Sequence, residues 1–237
     1  MQPLGFSTGA LSFSDFRRAL LLLRDQPVSV VELSAIRKQE LIPLLRALDD
    51  LDLSRFRYVS IHAPSDFSPH DEDWIFDELY EVRRRRWPIV VHPDTLHKSS
   101  LWRKLGDLLC IENMDKRKSA GRTVQELELL FGEFPEASFC FDIGHARQVD
   151  TSMIEAYQML KRFGSRLRQV HISEVNAQNK HDRLSFVSIL SFQEVTHLIS
   201  PSTPVIIESV VPEDQIGAEI CRVRKALHAP VPAVEAS

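Results

Sequence analysis

The chain has few cysteines, and their positions fit neither a metal-binding pattern nor a disulfide framework. Its three cysteines, Cys110, Cys140 and Cys221, are far apart among 237 residues. Cys110 and Cys140 lie inside short apolar runs. The sequence therefore predicts free thiols, two of them buried, as is usual in a reducing compartment.

Long apolar runs and an excess of positive charge are absent as well. No segment approaches the roughly 20 apolar residues of a transmembrane helix, and no basic start precedes an apolar segment as in a signal peptide. The formal net charge is −4, which gives the whole molecule no attraction to nucleic acid or to an anionic membrane. These absences predict a cytoplasmic protein with no membrane partner.

What the chain does have is a regular alternation of strand-like and helix-like segments. Stretches such as "SDFRRALLLLRD" and "TSMIEAYQMLKRFG" have helical periodicity. They alternate with short apolar runs at the spacing of parallel βα units, roughly 30 residues. The eight runs cover residues 4–7, 28–33, 58–63, 88–93, 108–113, 138–143, 168–173 and 204–209.

Eight βα units in a chain of this length predict a single (β/α)8 TIM barrel of the α/β class. We assign the barrel to residues 1–229 and a disordered tail to residues 230–237. A doubly wound open sheet is the alternative. The segment "GFSTGA" after the first run disfavours it, because it lacks the glycine pattern of a dinucleotide-binding loop.

Ionisable residues stand where seven of the eight predicted strands end. In a barrel these ends meet at one rim, which is where such folds carry their chemistry. So many unpaired charges in one pocket are costly unless a cation pairs them. The residues are Glu32, His62, His92, Glu112, Asp142, His171 and Glu208, with His145, His181 and Asp182 on adjoining loops.

The mixture of imidazole and carboxylate groups predicts the kind of metal. Such ligands suit zinc, manganese, iron or cobalt, whereas calcium and magnesium prefer oxygen alone. No cysteine is among the candidates, which disfavours a purely structural zinc site. We expect manganese or zinc, one to three ions per chain, with Asp142 and His145 as ligands on the same side of the centre.

The order of short motifs along the chain resembles that of a known superfamily. The motifs "HAP", "VHP", "IENM", "FDIGHA", "HISE" and "IIES" follow one another from the third predicted strand to the eighth. In this order and spacing they resemble the xylose isomerase-like TIM barrels. That superfamily contains sugar isomerases and epimerases and also the apurinic-site endonuclease IV family.

Resemblance to the isomerases and epimerases implies one divalent metal held by four residues. Those residues are Glu112, Asp142, His171 and Glu208. The resemblance also implies that Glu112 and Glu208 flank a bound ketose and exchange protons at its carbons. In such chemistry the metal polarises the carbonyl and stabilises an enediolate while a carboxylate takes the α-proton.

Resemblance to the endonuclease IV branch implies further ligands. His62 and His92 match its first metal position, with Glu112 bridging to the second. His145 and His181 match part of the third. That branch has Asp where this chain has Asn179, which favours two metal ions over three.

Substrate contacts are expected beside this centre. Glu32 is predicted either to bind substrate or to orient a metal ligand, and His145 to contact substrate. Lys116 and Arg147, like Arg117 and Lys118, follow the fifth and sixth strands and are candidates to meet a phosphate or carboxylate. The basic run "RRRRW" at 83–87 is instead expected at a solvated helix end on the opposite face.

Three functions are compatible with these features. A metal-dependent isomerase or epimerase of a small sugar, sugar phosphate or polyol, acting in carbohydrate metabolism, is the first choice. The alternative is a multinuclear zinc or manganese phosphodiesterase, and the third is a non-catalytic binding relative. A small-molecule substrate is expected and duplex DNA is not, since a duplex requires a basic footprint. A homo-oligomer is left open.

Overall fold

Eight parallel strands close into a barrel in the computed structural model, which describes residues 2–13 and 15–228. Each strand pairs with its neighbours in the chain, and β8 closes the barrel against β1, with Leu4 opposite Val205. The strands are β1 (Leu4–Ser7), β2 (Val30–Ser34), β3 (Tyr58–His62), β4 (Ile89–Val91), β5 (Leu109–Glu112), β6 (Ser138–Asp142), β7 (Leu167–Ile172) and β8 (Val205–Ile207). The (β/α)8 prediction is confirmed.

Helices connect the strands and cover the outside of the barrel. They are α1 (Thr8–Ser12), α2 (Phe16–Leu23), α3 (Lys38–Ala47), α4 (Glu72–Val82), α5 (Ser99–Trp102), α6 (Val124–Glu133), α7 (Ile143–Val149), α8 (Ile154–Phe163), α9 (Phe186–Thr196) and α10 (Ile216–Leu227). A short antiparallel hairpin, Glu174–Val175 with His181–Asp182, follows β7. The boundary expected at residue 229 and the tail expected over 230–237 lie outside the described residues.

The strands form because most of their residues are apolar and buried, although several buried strand residues are polar. Parallel strands are covered on both faces, on one side by the helices and on the other by the barrel interior. The aromatic residues Phe6, Phe139 and Phe141 are fully buried in this core. The stretches with helical periodicity do form helices, and these are slightly shorter than the patterns because N-cap residues stand before their first residue. Thr123, for example, accepts a hydrogen bond from the Glu126 N–H at the start of α6.

The observed strand ends decide how deep each ionisable residue lies. Glu112 and Asp142 are the last residues of β5 and β6, whereas His92 and Glu208 each follow their strand by one residue. Glu32 differs, because β2 continues for two residues beyond it. Successive residues of a strand point to opposite faces, so Glu32 lies one layer deeper in the barrel.

Two further expectations concern membranes and cysteines. Within residues 2–13 and 15–228, the helices are too short or too polar to cross a bilayer. Cys110 and Cys140 are buried free thiols, as predicted, and Cys221 is an exposed free thiol on α10.

Candidate metal centre

A cavity of about 930 Å³ opens at the C-terminal ends of the strands. This is the end of a (β/α)8 barrel where ligands bind. Asp142 and His171 lie beneath it and are fully buried. Six further ionisable residues line its floor, namely His62, His92, Glu112, His145, His181 and Glu208.

Four of the predicted ligands converge at this floor. One ligand atom from each of Glu112, Asp142, His171 and Glu208 lies within 4.8 Å of the others. His171 is central, since its Nδ1 lies 3.3 Å from Glu112 Oε1 and 3.4 Å from Glu208 Oε1. We call these four residues the core group.

Three other groups of possible ligands share residues with the core group, and one of them consists of Glu32, His62 and Glu208. His62 and His92 each place Nε2 at 3.3 Å from Glu112 Oε2. On the other side, His145 Nδ1 lies 3.5 Å from Asp142 Oδ2, and His181 joins these two within 4.8 Å. Glu112 and Asp142 therefore each belong to two groups of possible ligands.

The ionisable groups at this floor lie close together and are largely buried from water. Burial raises the pKa of Asp142 well above its ordinary value, and the charges of Glu112 and Glu208 raise it further. Burial alone would lower the pKa of His62, but its hydrogen bond with Glu112 and the charge of Glu32 raise it to about 9. Excess negative charge is thus only partly offset by the imidazoles.

The residues present suit a divalent cation. Oδ2 of Asp142 is buried and has no hydrogen-bond partner among the described residues, and an unsatisfied buried oxygen costs free energy that coordination would recover. Carboxylate oxygens and imidazole nitrogens, without thiolate, are the donors that zinc, manganese, iron and cobalt accept. These groups of residues can therefore hold metal ions.

Comparisons with known proteins give no match to a family model and none to a curated protein sequence. Solved structures do match. The chain superimposes on a xylose isomerase domain protein from Alicyclobacillus acidocaldarius with a TM-score of 0.64, 13% identity and coverage of 96% of this chain and 98% of the other. At this identity the match shows a shared (β/α)8 fold.

Two further structures with this fold carry more specific names. Endonuclease IV from Thermus thermophilus matches with a TM-score of 0.57 and 15% identity over 94% of this chain and 96% of that one. A 3-keto-D-glucoside 4-epimerase from E. coli matches with a TM-score of 0.53 and 13% identity over 95% and 99%. The resemblance inferred from the motif order is confirmed as a likeness of fold.

Within the barrel, Glu32 lies below the centre and beside His171. Its Oε2 accepts hydrogen bonds from Ser60 Oγ at 2.9 Å and Gln169 Nε2 at 2.7 Å, and lies 3.1 Å from His171 Nε2. The other nitrogen of His171 faces Glu112. Of the two roles predicted for Glu32, this geometry favours orienting the imidazole, because Glu32 does not line the cavity.

Sequence reasoning missed Asn113, which joins the ends of β5 and β6. Its Oδ1 accepts the Asp142 N–H and its Nδ2 donates to the Asp142 carbonyl, both at 2.8 Å. Its carbonyl oxygen lies 3.0 Å from His145 Nδ1. Asn113 thus fixes the backbone from which Asp142 and His145 project. The available signal was its position directly after Glu112 at a strand end.

The hairpin after β7 carries His181 into the centre. Ser173 Oγ lies 2.7 Å from His181 Nδ1 and orients its ring. Asn179 takes a left-handed backbone conformation with φ 58°. Its side-chain oxygen accepts a hydrogen bond from Gln148.

The structure brings only some of the candidate cations to the cavity. Lys116 is exposed outside it, and the Arg147 guanidinium contacts Ser191 and lies 3.9 Å from Glu174. Neither side chain lines the cavity, and Arg147 lies on α7. The candidates that line the cavity are Arg117 and Lys118. Arg117 pairs with Asp115 at 2.6 Å, and Lys118 pairs with Asp94 at 2.8 Å.

Replacing Glu32 with glutamine tests its proposed role as the support of His171. The amide oxygen can still accept a hydrogen bond from His171, but the neutral amide lacks the negative charge that raises the basicity of the imidazole, so we expect metal affinity to fall about 10- to 100-fold, the usual cost of removing such a partner. Equilibrium dialysis with zinc or manganese measures this. The control is Glu72→Gln, which alters a fully buried carboxylate that bonds Trp102 and no candidate ligand. An affinity equal to that of the control would contradict the role.

Proposed function

We propose that this protein is a metal-dependent hydrolase of phosphate esters with more than one metal ion per chain. One observation carries the proposal: Glu112 and Asp142 are each shared by two groups of possible ligands. Shared carboxylates suit neighbouring ions, which activate water at neutral pH and offset the charge of a phosphoryl group. The four-residue core group alone would not need His62, His92, His145 and His181.

The chain's own residues have separable roles in this proposal. The core group would hold one ion, and the pairs His62 with His92 and His145 with His181 would extend the site on either side. Arg117 and Lys118 at the cavity wall favour an anionic substrate, although Asp115 and Asp94 partly neutralise them. Glu208 faces the cavity beside His181, at 3.5 Å, where it can accept a proton from water.

The second candidate is the isomerase or epimerase that the sequence alone favoured. Its specific support is that the core group is complete and that both Glu112 and Glu208 line the cavity. Two such carboxylates suit proton exchange at neighbouring carbons of a ketose. We rank it second because it leaves two pairs of converging imidazoles without a role.

We further propose that the substrate is a small molecule and not duplex DNA. The dense basic run lies at the base of the barrel, before β4, where Arg84 pairs with Glu81 and Arg85 with Asp49. A duplex binder neutralises several phosphates over a large surface. The cavity rim carries few cations and several carboxylates, so it suits a single phosphate group.

The double variant His62→Ala with His92→Ala tests the ranking. For wild type purified without chelator, we expect two or three metal ions per chain by elemental analysis and hydrolysis of bis(4-nitrophenyl) phosphate. The double variant should lose about one ion and at least ~10²-fold in kcat, since a metal partner's removal costs that much. One ion per wild-type chain, with ketose isomerisation that survives the double replacement, would instead favour the second candidate.

A further inference from the structure

One side of the cavity carries several apolar side chains, with Ser7, Ser34, Ser65 and Asp66 among them. The apolar residues come from the connections after β8, β1, β2 and β3, which are consecutive around the barrel, so they form one sector. Arg117 and Lys118 come from the loop after β5 and His145 from α7, on another side. We call the sector the apolar wall; it consists of Ala10, Phe13, Ile36, Phe67 and Val210.

Phe13 is the least expected residue of the apolar wall. It ends α1 in the left-handed conformation, with φ 47° and ψ 46°, and its N–H donates to the Gly9 carbonyl at 3.2 Å. Glycine or asparagine usually occupies that position, because a bulky L-residue is strained there. Its ring is 70% exposed. The backbone strain at Phe13 lowers the stability of the folded protein, and its exposed side chain does not gain the stabilisation of burial. Strained residues of this kind cluster at functional sites.

Local packing extends this wall beyond one residue. A Cβ at Gly9 would lie 2.8 Å from Ile36 Cδ1, so the bare glycine lets the loop after β1 approach Ile36. Ile36 is 41% exposed and Val210 is 42% exposed. Neighbouring exposed apolar side chains at a cavity mouth mark a surface that a ligand covers.

We infer that the apolar wall binds a planar aromatic ring carried by the phosphate ester substrate, with the face of the ring against Phe13. The inference rests on the proposed function, which puts the phosphate at the metal centre beside Arg117 and Lys118. Aromatic rings pack favourably in offset or edge-on pairs. A cavity of about 930 Å³ is in the size range of ligand sites and accommodates a ring and a phosphate together. An aryl group and a nucleobase share this chemistry.

Binding of non-hydrolysable phosphonates to the metal-loaded protein tests the inference without requiring turnover. By calorimetry, we expect phenylphosphonate to bind wild type about tenfold more tightly than methylphosphonate and several-fold more tightly than cyclohexylphosphonate, because ring stacking adds to burial. A 5′-phosphonate analogue of adenosine monophosphate distinguishes the source: tighter binding than phenylphosphonate supports a nucleobase, and weaker binding supports an aryl group.

Phe13→Gly removes the ring and also the strain, so its melting temperature should be no lower than that of wild type. We expect it to lose the phenyl preference and to keep its affinity for methylphosphonate; Phe13→Leu, which keeps apolar bulk, should lose the preference over the cyclohexyl compound. The matched control is Phe186→Ala, an equally exposed phenylalanine on α9 (73%) that lies outside the cavity and should change neither affinity.

The outcomes separate this inference from the proposed function. Equal affinity of wild type for phenyl- and methylphosphonate overturns the aromatic site while the phosphate site stands. A phenyl preference that survives in both Phe13 variants also overturns it. If wild type binds none of the phosphonates, both the aromatic site and the phosphate ester proposal are wrong.

Discussion

Glu112→Gln is expected to remove metal binding from two of the four groups of possible ligands and to lower kcat/KM at least ~10³-fold. Removing a residue that supports a metal ligand lowers metal affinity or activity about 10- to 100-fold. Glu112 is itself a possible ligand in two groups, so we expect a larger effect. Its two oxygens lie 3.3 Å from imidazole nitrogens of His62, His92 and His171. The amide of glutamine is neutral and has only one acceptor oxygen, so it cannot serve both groups.

Elemental analysis and kinetics on the same preparation measure this effect. Glu72→Gln, the buried control used for Glu32, should keep its full metal content. If Glu112 had only a structural role, Glu112→Gln would lower the melting temperature, as Glu72→Gln is expected to do, and would leave the metal content unchanged. If Glu112→Gln retains the wild-type number of ions, Glu112 is not a shared ligand and the multinuclear proposal loses its main support.

Asp142→Asn is expected to abolish the stabilisation that metal gives while leaving the metal-free protein at least as stable as wild type. Asp142 Oδ1 accepts the His145 N–H at 2.7 Å at the start of α7, and asparagine keeps that cap. Burial, together with the negative charges of Glu112 and Glu208, raises the pKa of Asp142. Asparagine is neutral, so the variant avoids this unfavourable burial and repulsion of a carboxylate. Metal at a thousand times its Kd should stabilise wild type by about 4 kcal/mol.

Thermal unfolding with and without zinc or manganese separates the two effects. Wild type should melt at a higher temperature when metal is added, and Asp142→Asn should show little or no rise. Asp15→Asn is the matched control, because Asp15 caps α2 by accepting the Arg18 N–H at 2.9 Å and lies outside the cavity. An undiminished metal-induced rise in Asp142→Asn would exclude Asp142 as a ligand.

Much of the fold could be predicted because its signals are local. A parallel strand buried on both faces reads as a short apolar run, so β3 and β6 were located to within a residue at each end. Their order along the chain, with helices between, leaves few topologies other than a barrel. Strand ends were less accurate: β2 was expected to end at residue 33 and ends at Ser34.

That small error changes where Glu32 lies. Side chains alternate between strand faces, and successive layers of side chains stack inside a barrel. Because β2 continues for two residues beyond Glu32, Glu32 lies beneath the cavity and not in its wall. Lys116 and Arg147 were likewise expected at the cavity, yet neither lines it, because Lys116 is exposed elsewhere and Arg147 contacts Ser191 and Glu174. Loop direction depends on packing, which a local pattern does not encode.

The sequence by itself determined the alternation of strands and helices, the barrel, and which ionisable residues end the strands. Only the tertiary structure decided which of them meet. His62 and His171 are 50 and 59 residues from Glu112 in the chain, yet both contact it. Barrel closure likewise brings the loop of Phe13 beside that of Val210. Periodicity reports neighbours within one element, whereas contacts between distant segments are fixed by strand register and packing.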